Sequence, residues 1–237
     1  MRRRGALRLV LGLAALAGAA AARADAPPTP SDRATTSHSF ADVAYWSKVF
    51  DDPKRDAWQK PRELIAALAL TPGSTVADLG AGTGYLEPYL AAAVGARGSV
   101  LAIETEAPLV AHLRQRAERE RLANVVPILA SFDNPRLPRA GVDLLLIVDT
   151  YHHFDHRRAY LPQLAAALRP GGRIAIVDWK PGELPEGPAP DHKLPPEQVI
   201  AEMQAAGFTL TAAPTVLPYQ YFLIFTPTTA RPEDAGS

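Results

Sequence analysis

The segment VADLGAGTGYLEPYL, Val76 to Leu90, constrains this chain more than any other: an apolar run leads into three glycines within five residues and then into a helical pattern. A strand that turns at once into a helix needs backbone free to take positive φ and to approach its neighbours closely, and glycine supplies both. Such a turn can cradle a pyrophosphate, hold a nucleoside, or serve only its own tight geometry.

From Ser74 onward short apolar runs alternate with helical patterns. STVADL, SVLAIE, NVVPIL, VDLLLIVD and GRIAIVDW read as strands, and the spacings between most of them suit crossover helices. Runs that are apolar on both faces indicate a parallel sheet covered by helices on both sides. Helices are expected over Leu86 to Val94, Ala107 to Leu122 and Arg157 to Leu168, the last stopped by Pro170-Gly171-Gly172. A further helix in EQVIAEMQAAGF is followed by two strands, FTLTAAPTVL and QYFLIFT. The Pro/Gly-rich PGELPEGPAPDHKLPP reads as a long loop, of a length that in compact domains is commonly functional.

Before Ser74 the order is different. MRRRGALRLVLGLAALAGAAAARADAPP places four arginines in the first eight residues, then an apolar stretch, then Ala22-Arg23-Ala24. That layout predicts a signal peptide over residues 1–24, and Arg3 to Arg8 loosely resembles the twin-arginine export pattern. The expected location is therefore outside the cytoplasm or at the inner membrane, to which residues 1–24 could instead tether the chain. Residues 25–38, rich in Pro, Ser and Thr, read as a flexible linker. Residues 39–60 carry Phe40, Val43, Tyr45, Trp46, Val49 and Phe50 mainly at helical spacing, with Ser39 able to cap the start. This extension is expected to be an edge helix or a lid. Residues 61–228 form the main domain, and 229–237 a disordered tail.

Residues 1–24 hold five arginines and no acid, so the remainder carries a formal charge of −5 against 0 for the whole chain. A mildly acidic protein is a poor partner for a nucleic acid backbone. With no cysteine, disulfides, thiolate metal sites and thiol catalysis are excluded.

A dinucleotide fingerprint requires G-x-G-x-x-G or G-x-G-x-x-A, whereas Gly80, Gly82 and Gly84 give G-x-G-x-G with Tyr85 at the third small position. The spacing disfavours NAD. Asp78 precedes the loop by two residues, and Glu104 ends the next strand, where an acid can accept both hydroxyls of a ribose. D-x-G-x-G-x-G after a strand, with an acid ending the second strand, resembles the class I S-adenosylmethionine-dependent methyltransferases over roughly Pro61 to Thr226. VDLLLIVDTYHHF followed by LRPGGRIAIVDW is similar to strands four and five of the small-molecule, quinone-biosynthesis-like members.

The resemblance implies a doubly wound, seven-stranded, mostly parallel α/β sheet of order 3-2-1-4-5-7-6, its last strand antiparallel, with an N-terminal helical extension. It implies S-adenosylmethionine as cofactor, held by Asp78, Gly80, Gly82, Gly84 and Glu104. After strand three the family often has an acid contacting the adenine amino group; here LASFDNPRLP offers Ser131 or Asp133, with Phe132 able to pack on the ring. Asp149 is placed near the cofactor, or as a cap of the turn after strand four.

Candidates for removing a proton from an acceptor are Tyr151, His152, His153, Asp178 and His192. Asp178 and Lys180 could equally form an ion pair at a strand end. Adjacent histidines in a strand-to-helix turn point in different directions, so no metal is expected. The function implied is methyl transfer to a small or lipophilic acceptor. Two alternatives stand beside it: a module that binds S-adenosylmethionine without turnover, and a nicotinamide-dependent oxidoreductase.

Overall fold

The computed structural model describes residues 33–36 and 39–228, all within the unit Ser31–Ser237. The signal-peptide reading of 1–24, most of the linker at 25–38 and the tail at 229–237 lie outside the described residues.

Seven strands form one sheet in the order β3-β2-β1-β4-β5-β7-β6: β1 Thr75–Leu79, β2 Ser99–Glu104, β3 Val125–Leu129, β4 Val142–Val148, β5 Leu168–Trp179, β6 Phe208–Ala212 and β7 Gln220–Pro227. The first five are parallel, and β7 runs antiparallel to both β5 and β6. The order and the antiparallel strand agree with the expectation from sequence. Alternation along each strand feeds two cores. Ala77, Leu79, Leu145, Ile147, Ile174 and Ile176 pack on one face of the sheet, while Val76, Leu144, Leu146, Val148, Ala175 and Val177 pack on the other. Helices α6 (Arg157–Ala167) and α7 (Pro196–Ala205) close the first core with Leu161, Leu164, Val199 and Met203. Helices α3 (Pro61–Ala67), α4 (Glu87–Val94) and α5 (Ala107–Arg119) close the second with Leu64, Leu90, Val94 and Leu113.

Several boundaries differ from the sequence reading. Helix α6 ends at Ala167, and β5 begins at Leu168 and runs through Pro170-Gly171-Gly172 rather than after it. Val142 pairs with Leu168 but Leu144 pairs with Arg173, so the extra residues of β5, including Gly171 at φ 80°, form an irregularity in the ladder. Arg173 then donates to the carbonyls of Leu68 and Ala69, fixing the strand where it regains register. Helix α5 stops at Arg119, short of Leu122, and Arg121 takes a positive φ of 57° just beyond. Strand β6 stops at Ala212, so APTVL is a connection.

In the N-terminal extension, α1 (Val43–Phe50) is capped by Asp42, whose carboxylate accepts from Tyr45 N. Ser39 is not the cap; its hydroxyl donates to Glu106. A 3-10 turn at Pro53–Arg55 and the short α2 (Asp56–Gln59) complete the extension. Strands β1 and β4 are neighbours while their crossovers leave in opposite directions, which places the topological switch point between the loops that follow them.

Candidate active site

The loops after β1 and β4 meet at that switch point. Gly80, Gly82 and Gly84 adopt φ of 80°, 58° and 89°. A Cβ on Gly80 would lie 2.4 Å from the side chain of Thr150, so glycine here is what lets the two loops touch. Gly80 N and Ala81 N both donate to the Ile103 carbonyl of β2, at 2.9 and 3.1 Å, and turn the chain across that strand end. Gly82 N then donates to Glu104 Oε2 at 3.0 Å. Glu104 Oε1 accepts from Thr105 N, Thr105 Oγ1 and Glu106 N. The carboxylate is thus oriented by four donors with only 8% of the residue exposed, and Oε2, taken by one donor, keeps a lone pair free.

Under the loop sit Asp78 and Glu87, both buried. Neither oxygen of Glu87 meets an N–H or O–H donor. Burial drives both carboxyls above their ordinary range, Asp78 to about 7, and the neighbouring charge of Asp78 adds to the rise in Glu87. Glu87 was not singled out in the sequence.

The N-terminal extension crosses the strand ends above this loop. Ser39 Oγ and Phe40 N donate to Glu106 at 2.9 and 3.2 Å, beyond β2. Phe50 stands 3.5 Å from the position of a Gly82 Cβ, stacked on Trp46 with ring centroids 5.0 Å apart. Asp51 accepts from Thr83 Oγ1 and from Arg116, and Asp56 from the Tyr85 hydroxyl. Arg55 lies over the Tyr85 ring, donates to the Phe50 carbonyl and Gln59 Oε1, and comes within 3.7 Å of Asp149. Gln59 donates to Gln220, which donates to Asp149 at 2.6 Å. Arg55, Gln59 and Gln220 form a buried polar chain from the extension to β7 and β4 that the sequence reading missed.

Asp149 holds a positive φ of 52° directly after β4. Its hydrogen bond to Gln220 places it in this chain instead of capping the following turn. Burial pushes its carboxyl up to about 7, Arg55 and Gln220 opposing and Asp178 adding to the rise. A carboxyl whose folded pKa exceeds its unfolded value of about 3.9 favours the fold when protonated, so this contribution is present at low pH and is lost as pH rises through about 7. Thermal unfolding midpoints are expected to fall between pH 5 and pH 8 by more in the wild type than in Asp149→Asn. Parallel pH profiles for the two proteins would contradict the assignment.

The turn after β4 separates the remaining candidates. Tyr151 is buried with its hydroxyl donating to Glu202 of α7 at 2.8 Å, and burial with the Glu202 charge raises its pKa further. It is therefore anchored in the core, not offered as a base. His152 Nδ1 lies 2.8 and 3.0 Å from the two oxygens of Asp178, which also accept from His152 N and Trp179 N. His153 packs edge-on to Phe40 with centroids 5.4 Å apart. The two imidazoles lie with centroids 4.1 Å apart, one turned to Asp178 and the other to Phe40, and among the described residues no group of three metal-ligating side chains converges. Lys180 donates to the carbonyls of Leu217 and Pro218, so the ion pair with Asp178 does not form. His192, in the 3-10 turn Pro190–His192, is partly exposed; its carbonyl accepts from Thr35, but no contact joins its ring to Asp178 or His152. Beyond β3, Ser131 Oγ donates to Asp133 at 2.7 Å, and Phe132 is 77% exposed.

Residues 76–172 match a family model described as "Methyltransferase domain". The chain is 29% identical over 127 residues to the ubiquinone/menaquinone biosynthesis C-methyltransferase UbiE of Cupriavidus metallidurans, covering 50% of each chain. It is 34% identical over 118 residues to an uncharacterized methyltransferase of Mycobacterium tuberculosis, covering 49% of this chain and 44% of that one. The chain thus spans about half the length of the curated relatives it matches. Among solved structures, a SAM dependent methyltransferase from Aquifex aeolicus superposes with a TM-score of 0.74 at 28% identity, over 78% of this chain and 97% of that one.

Proposed function

We propose that this chain, a member of the S-adenosylmethionine-dependent methyltransferases by its domain and its fold, moves a methyl group from S-adenosylmethionine to a small or lipophilic acceptor. The observation that carries the reading is Glu104. A carboxylate fixed by four donors, with a lone pair left on the oxygen beside Gly82, suits a ribose hydroxyl and is not a surface acid that happens to end a strand. The glycine loop, with Asp78 behind it and Phe132 exposed beside it, would hold the rest of the nucleoside. Arg55, a buried cation among Asp149, Asp78 and Asp51, would meet the carboxylate of the amino acid end. When bound, the cofactor supplies a methyl group on a sulfonium, open to in-line displacement. The extension bearing Phe50 and Arg55 excludes water from that space, which keeps an acceptor positioned and desolvated.

The name of the Cupriavidus relative supports a small, lipophilic acceptor, and the formal charge of −5 on residues 25–237 weighs against a nucleic acid. The glycine spacing weighs against NAD, and a module without turnover would bind the cofactor yet yield no S-adenosylhomocysteine with any acceptor. Calorimetric titration of the protein with S-adenosylmethionine, S-adenosylhomocysteine and NAD tests the reading. Binding of the first two and not the third is expected; a preference for NAD, or silence toward both adenosyl compounds, would overturn it.

The basic-then-apolar leader supports export or attachment to the inner membrane, residues 1–24 acting as the address or the tether. Among the described residues no helix is long and apolar enough to cross a membrane. Residues 1–30 fused to a reporter that is active only outside the cytoplasm should give signal, and a silent reporter would rule out export.

A further inference from the structure

We propose that the outer face of α1 is a lipid-contacting surface, so that the C-terminal ends of the strands, and the site built on them, lie against a membrane. The inference rests on the reading of residues 1–24 as a tether and of the acceptor as lipophilic, and names the surface that brings the two together.

The place where the chain enters the domain sets its orientation. The carbonyl of Arg33 accepts from Nη1 of the buried Arg157 at 2.7 Å. Thr35 N donates to the His152 carbonyl at 2.9 Å, and Thr35 Oγ1 to the His192 carbonyl at 2.7 Å. His152 lies in the turn after β4 and His192 in the long loop after β5, so this segment is fixed at the C-terminal ends of the strands. Arg33 stands nine residues after Ala24, the last residue of the leader. Nine residues span at most about 32 Å, less than the roughly 40 Å across a compact domain of about 200 residues. A leader held in a bilayer therefore keeps the site-bearing end of the domain near that bilayer; the connection is too short for the opposite end to face it.

At that end α1 lies outside the loops. Its inner side rests on them: Phe50 stands 3.5 Å from the position of a Gly82 Cβ, Trp46 packs on Phe40 and Phe50, and Phe40 on His153. Its outer side carries Ala44, Tyr45, Lys48 and Val49, all exposed and paired at i, i+4 along one stripe. Tyr45 is 56% and Val49 45% exposed. A surface helix normally turns polar residues outward, whereas α1 is largely apolar on both sides. The one charge of the stripe is Lys48, and the stripe holds no acid. The nearby acids are engaged elsewhere: Asp42 and Asp52 accept from the backbone N–H groups of Tyr45 and Lys54, and Asp51 accepts from Arg116 and Thr83. A tyrosine beside a lysine suits the headgroup level of a bilayer, where the ring meets acyl chains and the ammonium reaches lipid phosphate.

A face of this size binds a bilayer weakly by itself. Stable attachment to a membrane takes two signals, and here the second is covalent: a leader within about 32 Å of Arg33 raises the effective concentration of the face at the lipid without any new contact. The two parts differ in what they do. The leader fixes the distance to the membrane, and the stripe on α1 fixes which way the domain is turned. A lipophilic acceptor then passes from the bilayer to the strand ends along the extension, without crossing bulk water.

Because the chain has no cysteine, a single introduced one takes a label alone. Ala44→Cys and Val49→Cys, each made in the full chain, carry an environment-sensitive dye on the outer face of α1. Arg97→Cys carries it in the exposed turn before β2, at the opposite ends of the strands. Circular dichroism checks each fold. With vesicles of phosphatidylcholine and phosphatidylglycerol, the dyes at positions 44 and 49 should shift to shorter wavelength and be quenched by brominated lipid. Bromines near the top of the acyl chains should quench more than deep ones, since an interfacial helix lies about 5–10 Å into the headgroup boundary. The dye at position 97 should show neither effect. Tyr45→Asp added to Val49→Cys should remove most of the quenching while the protein still floats with the vesicles. Flotation with positions 44 and 49 as unquenched as 97, or quenching untouched by Tyr45→Asp, would overturn the proposal and leave the tether standing. A blue shift that appears without vesicles and grows with protein concentration would give the face to a second copy of the chain instead. Full-length protein that stays off the vesicles would sink the tether reading, and the docking with it.

Discussion

Glu104→Gln is expected to weaken binding of S-adenosylmethionine and S-adenosylhomocysteine by at least about tenfold while leaving the fold intact. A hydrogen bond to a charged acceptor contributes about 1.5–3 kcal/mol, and the one lone pair left on Oε2 takes one ribose hydroxyl, so about 1.5 kcal/mol, one factor of ten, is a lower bound. The amide keeps one oxygen but loses the charge, and its NH2 must face Thr105 N and Glu106 N or the N–H of Gly82, all of them donors. Calorimetry reads the affinity and circular dichroism the fold. Unchanged affinity in a folded variant would mean that the second-strand acid only orders the glycine loop.

Gly80→Ala is the second large effect, and it acts on stability as well as on binding. The methyl group would lie 2.4 Å from both Thr150 Cγ2 and Oγ1, on a backbone held at φ 80°. Strain of this kind costs about 1–3 kcal/mol for the backbone alone, and the clash adds to it. A fall of at least about 5 °C in the unfolding midpoint is expected for a domain of this size. Thr150→Ala should restore part of the loss, because it removes two of the three close atoms and none of the dihedral strain. If the double variant recovers nothing, the contact between the two loops is not what fixes glycine at this position; if it recovers everything, the dihedral contributes nothing.

The sheet could be read from the chain because its signal is local: each buried strand is a short apolar run, and alternate residues serve alternate cores whatever their partner. Glu104 and the glycines were legible for the same reason, since they sit at strand ends in fixed spacing. Pro170-Gly171-Gly172 misled, because a sequence that stops helices also tolerates an irregular ladder, and only pairing with Val142 decides between the two. Gln59, Gln220 and Asp149 are joined across up to 161 residues, and no window of sequence contains that information. The signals present were weak ones: a single amide opening the apolar run of β7, and Glu87 as a charge inside YLEPYL. Tyr151 was misjudged because its partner, Glu202, lies in a helix 51 residues further along the chain.

The hydrogen bond between Gln59 and Gln220 also has a bearing on the order of synthesis. The extension leaves the ribosome before the central strands and β7 after them, so the amide that meets Gln59 does not exist while those strands are being made. Contacts of such long separation form late, after the costly closure of the intervening chain. A nascent chain lacking β7 would have its glycine loop and the contacts of Asp51 and Asp56 over it, but not the amide that ties Gln59 down. Strand β7, starting at Gln220, thus completes the docking of the extension, and the binding site is finished only once that strand has been made.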